Sequence, residues 1–303
     1  MRKTKLLCLA LSLFMLVSLI AAPAYADSPA DPIPPQVVGQ VAYPGVEDDV
    51  LYIFHTNDTH GRMTGSLESA DAAAFSSAKL AGYVQGMRNM GHNVLLLDGG
   101  DAVHGKVSAN AFKGYSVINI MNRMGYDAMA AGNHEFDYGL DRAVQLAKYA
   151  KFPVLSANLT DEEGNPVFKD TLIKEIGGHK IGIFGLTTPE TATKANPKFF
   201  VGYVFQDAVE TAQKCVDALK AAGCDYIIAL GHIGMDEESP VTSFDITDAV
   251  TGIDLFIDGH SHTLLKEGKV NNGTLIVSTG EYLQHVGVVK VTFSSIQSPA
   301  EEA

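Results

Sequence analysis

Outside its N-terminus this chain has no apolar run of about 20 residues, so no internal transmembrane helix is expected. It has three cysteines in 303 residues, too few for a disulfide framework. It also lacks a Gly-x-x-x-x-Gly-Lys-Ser/Thr loop, a Gly-x-Ser-x-Gly elbow and a Gly-x-Gly-x-x-Gly after the first strand-like run. Nucleotide-triphosphate, serine-hydrolase and dinucleotide chemistries therefore score poorly. No internal repeat or low-complexity tract is visible. Basic residues are scarce too, with a formal charge of −13. A surface of that sign repels phosphate backbones, which argues against a nucleic acid polymer as partner. An anionic substrate would need bound cations to make a local positive field.

The first residues read as an export signal. Arg2, Lys3 and Lys5 form a positive start, residues 6–22 are apolar, and Ala24-Tyr25-Ala26 fits a small-x-small cleavage site. Residues 1–26 are thus expected to be a signal peptide that includes Cys8. The mature protein would be periplasmic, on the cell surface or extracellular, with no stable membrane insertion. Residues 27–49 hold five prolines and read as a flexible leader. Cys215 and Cys224 read as small buried apolar groups. Residues 50–293 read as one domain, and residues 294–303 as a tail or the start of a linker.

Within 50–293, strand-like and helix-like segments alternate, the pattern of an α/β fold. Val117, Ile118, Met121 and Met124 recur at helical spacing, as do Val209, Ala212, Val216 and Leu219. Both stripes are expected to pack on a sheet. Strands are expected at 153–157, 172–176, 181–186, 275–278 and 286–293, besides the five below. Gly177-Gly178-His179-Lys180 reads as a hairpin turn, which makes the sheets mixed rather than wholly parallel.

The chemistry sits at the ends of five hydrophobic runs. Asp58 and His60 follow Leu51-Tyr52-Ile53-Phe54, and Asp101 follows Val94-Leu95-Leu96-Leu97. Asn133 follows Ala128-Met129-Ala130-Ala131, His232 follows Tyr226-Ile227-Ile228-Ala229-Leu230, and His260 and His262 follow Leu255-Phe256-Ile257. Five such hits at strand C-termini predict one edge of a sheet, where α/β folds hold ligands. Carboxylates, a carboxamide and imidazoles together suit two divalent cations; zinc, manganese, iron and cobalt all accept such a set. If Asp101 bridges, seven ligands supply eight metal bonds and leave positions open for water and substrate. Two cations about 3.5–4 Å apart would acidify a water and clamp both ends of an in-line displacement, which is what phosphate ester hydrolysis needs.

Any one of these histidines alone would ordinarily be a core or surface residue. His55 reads as a hydrogen-bonded structural residue, and His104 as a solvent or supporting one. Glu135 reads as a helix-start residue rather than a base. Lys106 reads as solvated, and His92, His179 and His285 carry no assignment. Arg62, Arg88, Arg123 and Arg142 show no phosphate-clamp context.

The blocks His55-Thr56-Asn57-Asp58-Thr59-His60-Gly61, Gly99-Gly100-Asp101, Gly132-Asn133-His134-Glu135-Phe136-Asp137, Gly231-His232 and Asp258-Gly259-His260-Ser261-His262 resemble the calcineurin-like metallophosphoesterases. The first and third look more narrowly like the secreted bacterial 5′-nucleotidase and UDP-sugar hydrolase branch. The resemblance implies a four-layer α-β-β-α sandwich with mixed sheets and a dimetal site at one edge. It assigns Asp58, His60, Asp101 and His262 to one metal, and Asp101, Asn133, His232 and His260 to the other. His134 would hydrogen-bond the phosphoryl oxygens, with Asp137 orienting it from the start of the next helix. The implied activity is hydrolysis of a small phosphate ester, a 5′-nucleotide first. Alternatives are a phosphodiesterase acting on cyclic nucleotides or UDP-sugars, and a metal-bound surface binding module with little turnover. The family also implies a C-terminal substrate-binding domain, which would follow residue 303.

Overall fold

The computed structural model describes residues 43–63 and 76–295. The expected signal at 1–26, positions 27–42 of the leader and positions 296–303 of the tail lie outside the described residues. Among the described residues thirteen strands run in chain order: β1 Val50–Thr56, β2 Asn93–Asp98, β3 Ala128–Ala130, β4 Val154–Leu155, β5 Leu159–Asp161, β6 Thr171–Ile176, β7 His179–Thr187, β8 Tyr203–Phe205, β9 Tyr226–His232, β10 Leu255–Ile257, β11 Lys269–Asn271, β12 Thr274–Val277 and β13 Gly287–Thr292. Five longer helices are α1 Ser77–Asn89, α2 Tyr115–Met124, α3 Leu140–Tyr149, α4 Ala208–Ala221 and α5 Ser243–Ala249.

The strands form two principal sheets. One has the order β13-β1-β2-β3-β4 and the other β11-β12-β10-β9-β7-β6; β5 and β8 pair separately. The inner pairs β1-β2, β2-β3, β7-β9, β9-β10 and β10-β12 are parallel. The outer strands β13, β6 and β11 pair antiparallel, so both sheets are mixed.

Strand alternation explains the layering, because successive side chains point to opposite faces. In β1, Leu51 and Ile53 join a core shared with Ile181, Ile183, Ile228, Leu230, Leu255 and Ile257 of the other sheet. The residues between them, Val50, Tyr52 and Phe54, pack instead with Leu80, Val84 and Met87 of α1 and Val117, Ile118, Met121 and Met124 of α2. On the far side, Phe184, Ile227, Ala229 and Phe256 meet Ala212, Val216 and Leu219 of α4 and Ile246 of α5. Helices, sheet, sheet and helices therefore stack as four layers. Both helical stripes lie where expected, with Val209 partly buried at the margin. The sheets approach closely at Gly185, where an added Cβ would fall 2.4 Å from the Leu155 backbone.

Three expectations change in detail. The strand expected at 153–157 is only Val154–Leu155. The hairpin turn is confined to Gly177 and Gly178, at φ 59° and 85°, and His179 already pairs with Ile176. Residues 43–49, read from composition as the end of the leader, touch the domain. Tyr43 stacks on Tyr83 at 5.2 Å, Lys290 pairs with Glu47 at 3.0 Å, and the Ser294 N–H donates to Asp49 at 3.1 Å. Cys215 and Cys224 are buried and free.

Candidate metal centre

All five expected strand ends meet, but across two facing sheets rather than along one edge. Asp58 and His60 leave β1, Asp101 leaves β2 and Asn133 leaves β3, all in the five-stranded sheet. His232 ends β9, and His260 and His262 follow β10, in the six-stranded sheet. The sequence pattern is blind to this division, because a strand end looks the same whichever sheet holds it.

The turns carrying these groups are strained. Asp58, His60, Asp101, His260 and His262 hold φ values of 49°, 47°, 58°, 78° and 53°. Left-handed backbone at a residue other than glycine costs on the order of 1–3 kcal/mol and concentrates at functional sites. Backbone bonds hold the β1 and β2 turns together: Asp58 N–H to Gly100 O at 2.9 Å, His60 N–H to Asp101 O at 2.9 Å, and Gly61 N–H to Ala102 O at 2.8 Å. Gly132 has to be glycine here, since a Cβ would sit 2.3 Å from Asp101 Oδ1.

The side chains form two overlapping groups. In the first, Asp58 Oδ1 lies 3.5 Å from His262 Nε2 and 3.9 Å from His60 Nε2, and the two ring nitrogens are 3.0 Å apart. In the second, Asp101 Oδ2 lies 3.1 Å from His232 Nε2, while Asn133 Oδ1 is 3.3 Å from His232 Nε2 and 2.8 Å from His260 Nδ1. Asp58 Oδ1 also comes within 4.0 Å of His232 Nε2, and Asp101 lies within 4.8 Å of His60. Two ring nitrogens cannot both point a hydrogen at each other across 3.0 Å. Their lone pairs, with a buried carboxylate oxygen beside them, fit a shared divalent cation.

Electrostatics follow from burial and crowding. Burial lowers His60 and His260 to about 4, so both rings are neutral with a free lone pair. Burial pushes Asp58 upward. Burial also acts upward on Asp101, but His232, His134 and His60 together outweigh it and hold that carboxyl below its usual range. Burial, the largest single influence, pulls His232 down, but Asp101, Asp58 and Glu135 together outweigh it and raise the ring to about 10.

His134 and Asp137 lie beside this cluster. His134 Nδ1 is 2.6 Å from Asp137 Oδ2, and the His134 N–H donates to Asp101 Oδ1 at 2.8 Å. The Asp137 hydrogen bond raises His134 to about 9. Asp137 does not open the following helix as expected. It closes the 3-10 turn His134–Phe136, and α3 begins only at Leu140. The i, i+3 contact survives because a 3-10 turn also brings those positions together.

Several supporting residues escaped the sequence reading. Glu135 is buried, and its carboxylate accepts N–H groups from Asp101, Ala102 and Gly132 at 2.8, 2.8 and 2.7 Å, with Val103 at 3.2 Å. It thereby ties the β2 turn to the β3 turn. Each histidine of the β10 turn meets a glutamate: His260 Nε2 to Glu190 at 2.9 Å, and His262 Nδ1 to Glu281 at 2.5 Å. His232 Nδ1 donates to Gly99 O at 2.7 Å. Such outer partners fix ring tautomers. Nothing in the local sequence signals Glu190, 70 residues from His260. Its neighbourhood arises from β7 lying beside β9. His55 is buried, but its Nδ1 has no hydrogen-bond partner among the described residues, so its role is packing rather than the expected bonding. Arg62, without context in the sequence, lies 3.7 Å over the Tyr282 ring, which in turn stands 5.6 Å from His60.

Comparison with known proteins points to one family. The chain is 36% identical to human 5′-nucleotidase over 257 residues, 81% of this chain and 43% of the human one. Its structure is similar to that of a 5′-nucleotidase precursor from Thermus thermophilus, with TM-score 0.69 and 30% identity over 80% of this chain and 51% of that one. It is similar also to the calcineurin-like phosphoesterase YfkN from Bacillus subtilis, with TM-score 0.70 and 29% identity over 80% of this chain and 84% of that one. The chain spans less than half the length of the human relative. Residues 51–264, a stretch that holds all nine expected site residues, match the calcineurin-like phosphoesterase model, and the chain belongs to that family.

Proposed function

We propose that this chain hydrolyses small phosphate esters with two divalent cations, and that its substrate is a 5′-nucleotide cleaved to nucleoside and phosphate. The observation that carries this reading is the convergence of seven oxygen and nitrogen donors from two sheets beside the His134–Asp137 pair. The 5′-nucleotidase relatives favour the nucleotide among phosphate esters.

Asp58, His60, Asp101 and His262 would hold one cation, and Asp101, Asn133, His232 and His260 the other, with Asp101 shared. The set does not choose among zinc, manganese, iron and cobalt. When bound, such cations neutralise phosphate charge and bring the acidity of water near neutral pH. The chain's own contribution is orientation. Glu135 and the paired turns hold Asp101, and Glu190 and Glu281 fix the rings of His260 and His262. Asp137 keeps a proton on His134, which then donates to phosphoryl oxygens as negative charge grows there. Asp137 is an acceptor that orients the ring and takes no proton from substrate.

Among the described residues no helix is long and apolar enough to cross a membrane. With the signal read at 1–26, export to the periplasm, cell surface or medium is part of the proposal. A C-terminal domain supplying further contacts to base and phosphate is a further part of it.

The test is release of phosphate from AMP by the purified chain in manganese or cobalt, beside UDP-glucose and bis-p-nitrophenyl phosphate. AMP should be hydrolysed fastest. Faster cleavage of the diester or the sugar nucleotide would make the chain a phosphodiesterase. Metal-loaded protein no faster than His134→Ala would make it a binding module.

A further inference from the structure

His104 lies three residues past Asp101 and reads from the sequence as a solvent-facing or supporting side chain. The fold turns it back onto the His134–Asp137 pair. His104 Nδ1 stands 3.0 Å from Asp137 Oδ2, the same oxygen that lies 2.6 Å from His134 Nδ1. The two imidazoles are parallel within 8°, with centroids 5.2 Å apart. A third ring, His60, meets His134 nearly edge-on at 5.2 Å and 74°. His134 is therefore bounded by His104 stacking on it and His60 against its edge.

The His104 loop is itself tied down. The Tyr138 ring leans on His104 at 5.8 Å, and the Tyr138 hydroxyl donates to Asn110 Oδ1 at 2.8 Å. The same oxygen accepts the Gly105 N–H at 2.9 Å. One carboxamide thus joins the residue after His104 to the residue after Asp137.

Donor and acceptor chemistry fixes the hydrogens. An ionised carboxylate only accepts hydrogen bonds, so the His134 Nδ1 bonded to Asp137 Oδ2 carries its hydrogen. His104 presents Nδ1 to the same oxygen as an ion-pair contact at 3.0 Å. A lone His–Asp pair would leave a side chain that is about one-third exposed free to swing between rotamers. A second ring nitrogen against the same oxygen restrains the carboxylate, and a stacked ring restrains the imidazole plane. Misplacement of a catalytic group by about 1 Å can cost roughly a hundredfold in rate.

We propose that His104 is a positioning residue: with Asp137 it forms a His–Asp–His clamp that holds His134 in the orientation needed to meet a phosphoryl oxygen. The proposal rests on the reading that His134 acts on the substrate. It adds to that reading a residue whose effect passes through Asp137.

The same three side chains could instead hold a cation of their own. What favours the clamp is that both rings meet one and the same oxygen of Asp137 while stacking on each other, and the metal count in the test below separates the two readings.

The test is a double-mutant cycle on the metal-loaded full chain. His104→Leu keeps bulk against His134 and removes the donor; His104→Asn keeps a donor near the Nδ1 position. His104→Leu should lower kcat about tenfold, within the range of coupled neighbours, with KM and metal content unchanged. His104→Asn should recover most of the loss. In an Asp137→Asn background His104→Leu should add little, because the path to His134 is already cut. An equal drop in both backgrounds, or an unchanged kcat in the single variant, would overturn the clamp. A measurement independent of turnover is the His134 Nδ1–H resonance in ¹⁵N-histidine-labelled protein. It should be slow to exchange in the native chain and in His104→Asn, and broadened in His104→Leu; equal exchange in all three would defeat the proposal even in an inactive protein. A third metal equivalent that disappears in His104→Leu would make the cluster a cation site and overturn the clamp too. Failure of the native chain to hydrolyse any ester would instead strike the proposed function, and the resonance would still decide the clamp.

Discussion

The five-stranded sheet brings Asp58, His60, Asp101 and Asn133 to the site, and the six-stranded sheet brings His232, His260 and His262. Every oxygen donor comes from the first sheet, and the second contributes imidazole alone. The two halves are also held differently. On the first sheet, backbone N–H groups and the Glu135 carboxylate fix the turns and the carboxylates. On the second, an acceptor sits behind each ring: Gly99 O, Glu190 and Glu281. A carboxylate is positioned by donors and an imidazole by acceptors, so each half of the site needs the opposite kind of support. The supports also cross between the sheets. Gly99 O orients His232, and the His260 N–H donates to Asp58.

The strongest way to break this comparison is to remove the group that both halves share. Asp101→Ala should lose both equivalents of bound metal and all turnover above background; a variant that keeps wild-type rates or one full equivalent would show that Asp101 does not bridge. Next is His134→Ala on the first-sheet side, which should lower kcat by about 10²–10⁴-fold while metal content stays normal. Metal analysis decides it, because loss of an equivalent would make His134 a ligand. A second-sheet counterpart is Glu190→Gln, expected to weaken metal affinity by about 10–100-fold with the fold intact. Unchanged affinity by titration calorimetry would show that the acceptor behind His260 does not matter. The smallest effect on turnover should come from the layer the sheets share. Leu95→Ala and Ile228→Ala, one from each sheet, should each cost about 2–5 kcal/mol in denaturant melts and leave kcat of the folded protein unchanged. A loss confined to one of them would show that the two sheets do not depend equally on that layer.

Much of the candidate site was legible because metal-type side chains at strand ends are rare by chance and here recur five times. Asp58, Asp101, Asn133, His232 and His260 needed only that pattern. Glu135 was visible but misread, since a glutamate opening a helical turn looks like a helix-start residue. Its four backbone donors come from turns 32 to 34 positions earlier and from its own. Glu190 and Glu281 carried no pattern at all, and His104 only its spacing from Asp101, because each is defined by a partner on a different element. The Asp137 contact was implied by the family resemblance, and the 3-10 turn that produces it was not foreseen.

The sequence alone determined the α/β alternation and the amphipathic helices and singled out seven candidate ligands, because periodicity and residue type are local properties of a chain; His134 and Asp137 were added by the resemblance of their block. The tertiary structure decided that the strand ends belong to two sheets, that five of those residues hold left-handed backbone, and which glutamates and which further histidine stand behind the rings. Those facts depend on which distant turns face one another, and that is settled only when the buried faces Leu51, Ile53, Leu95 and Leu97 close against Ile181, Ile183, Ile228 and Leu230.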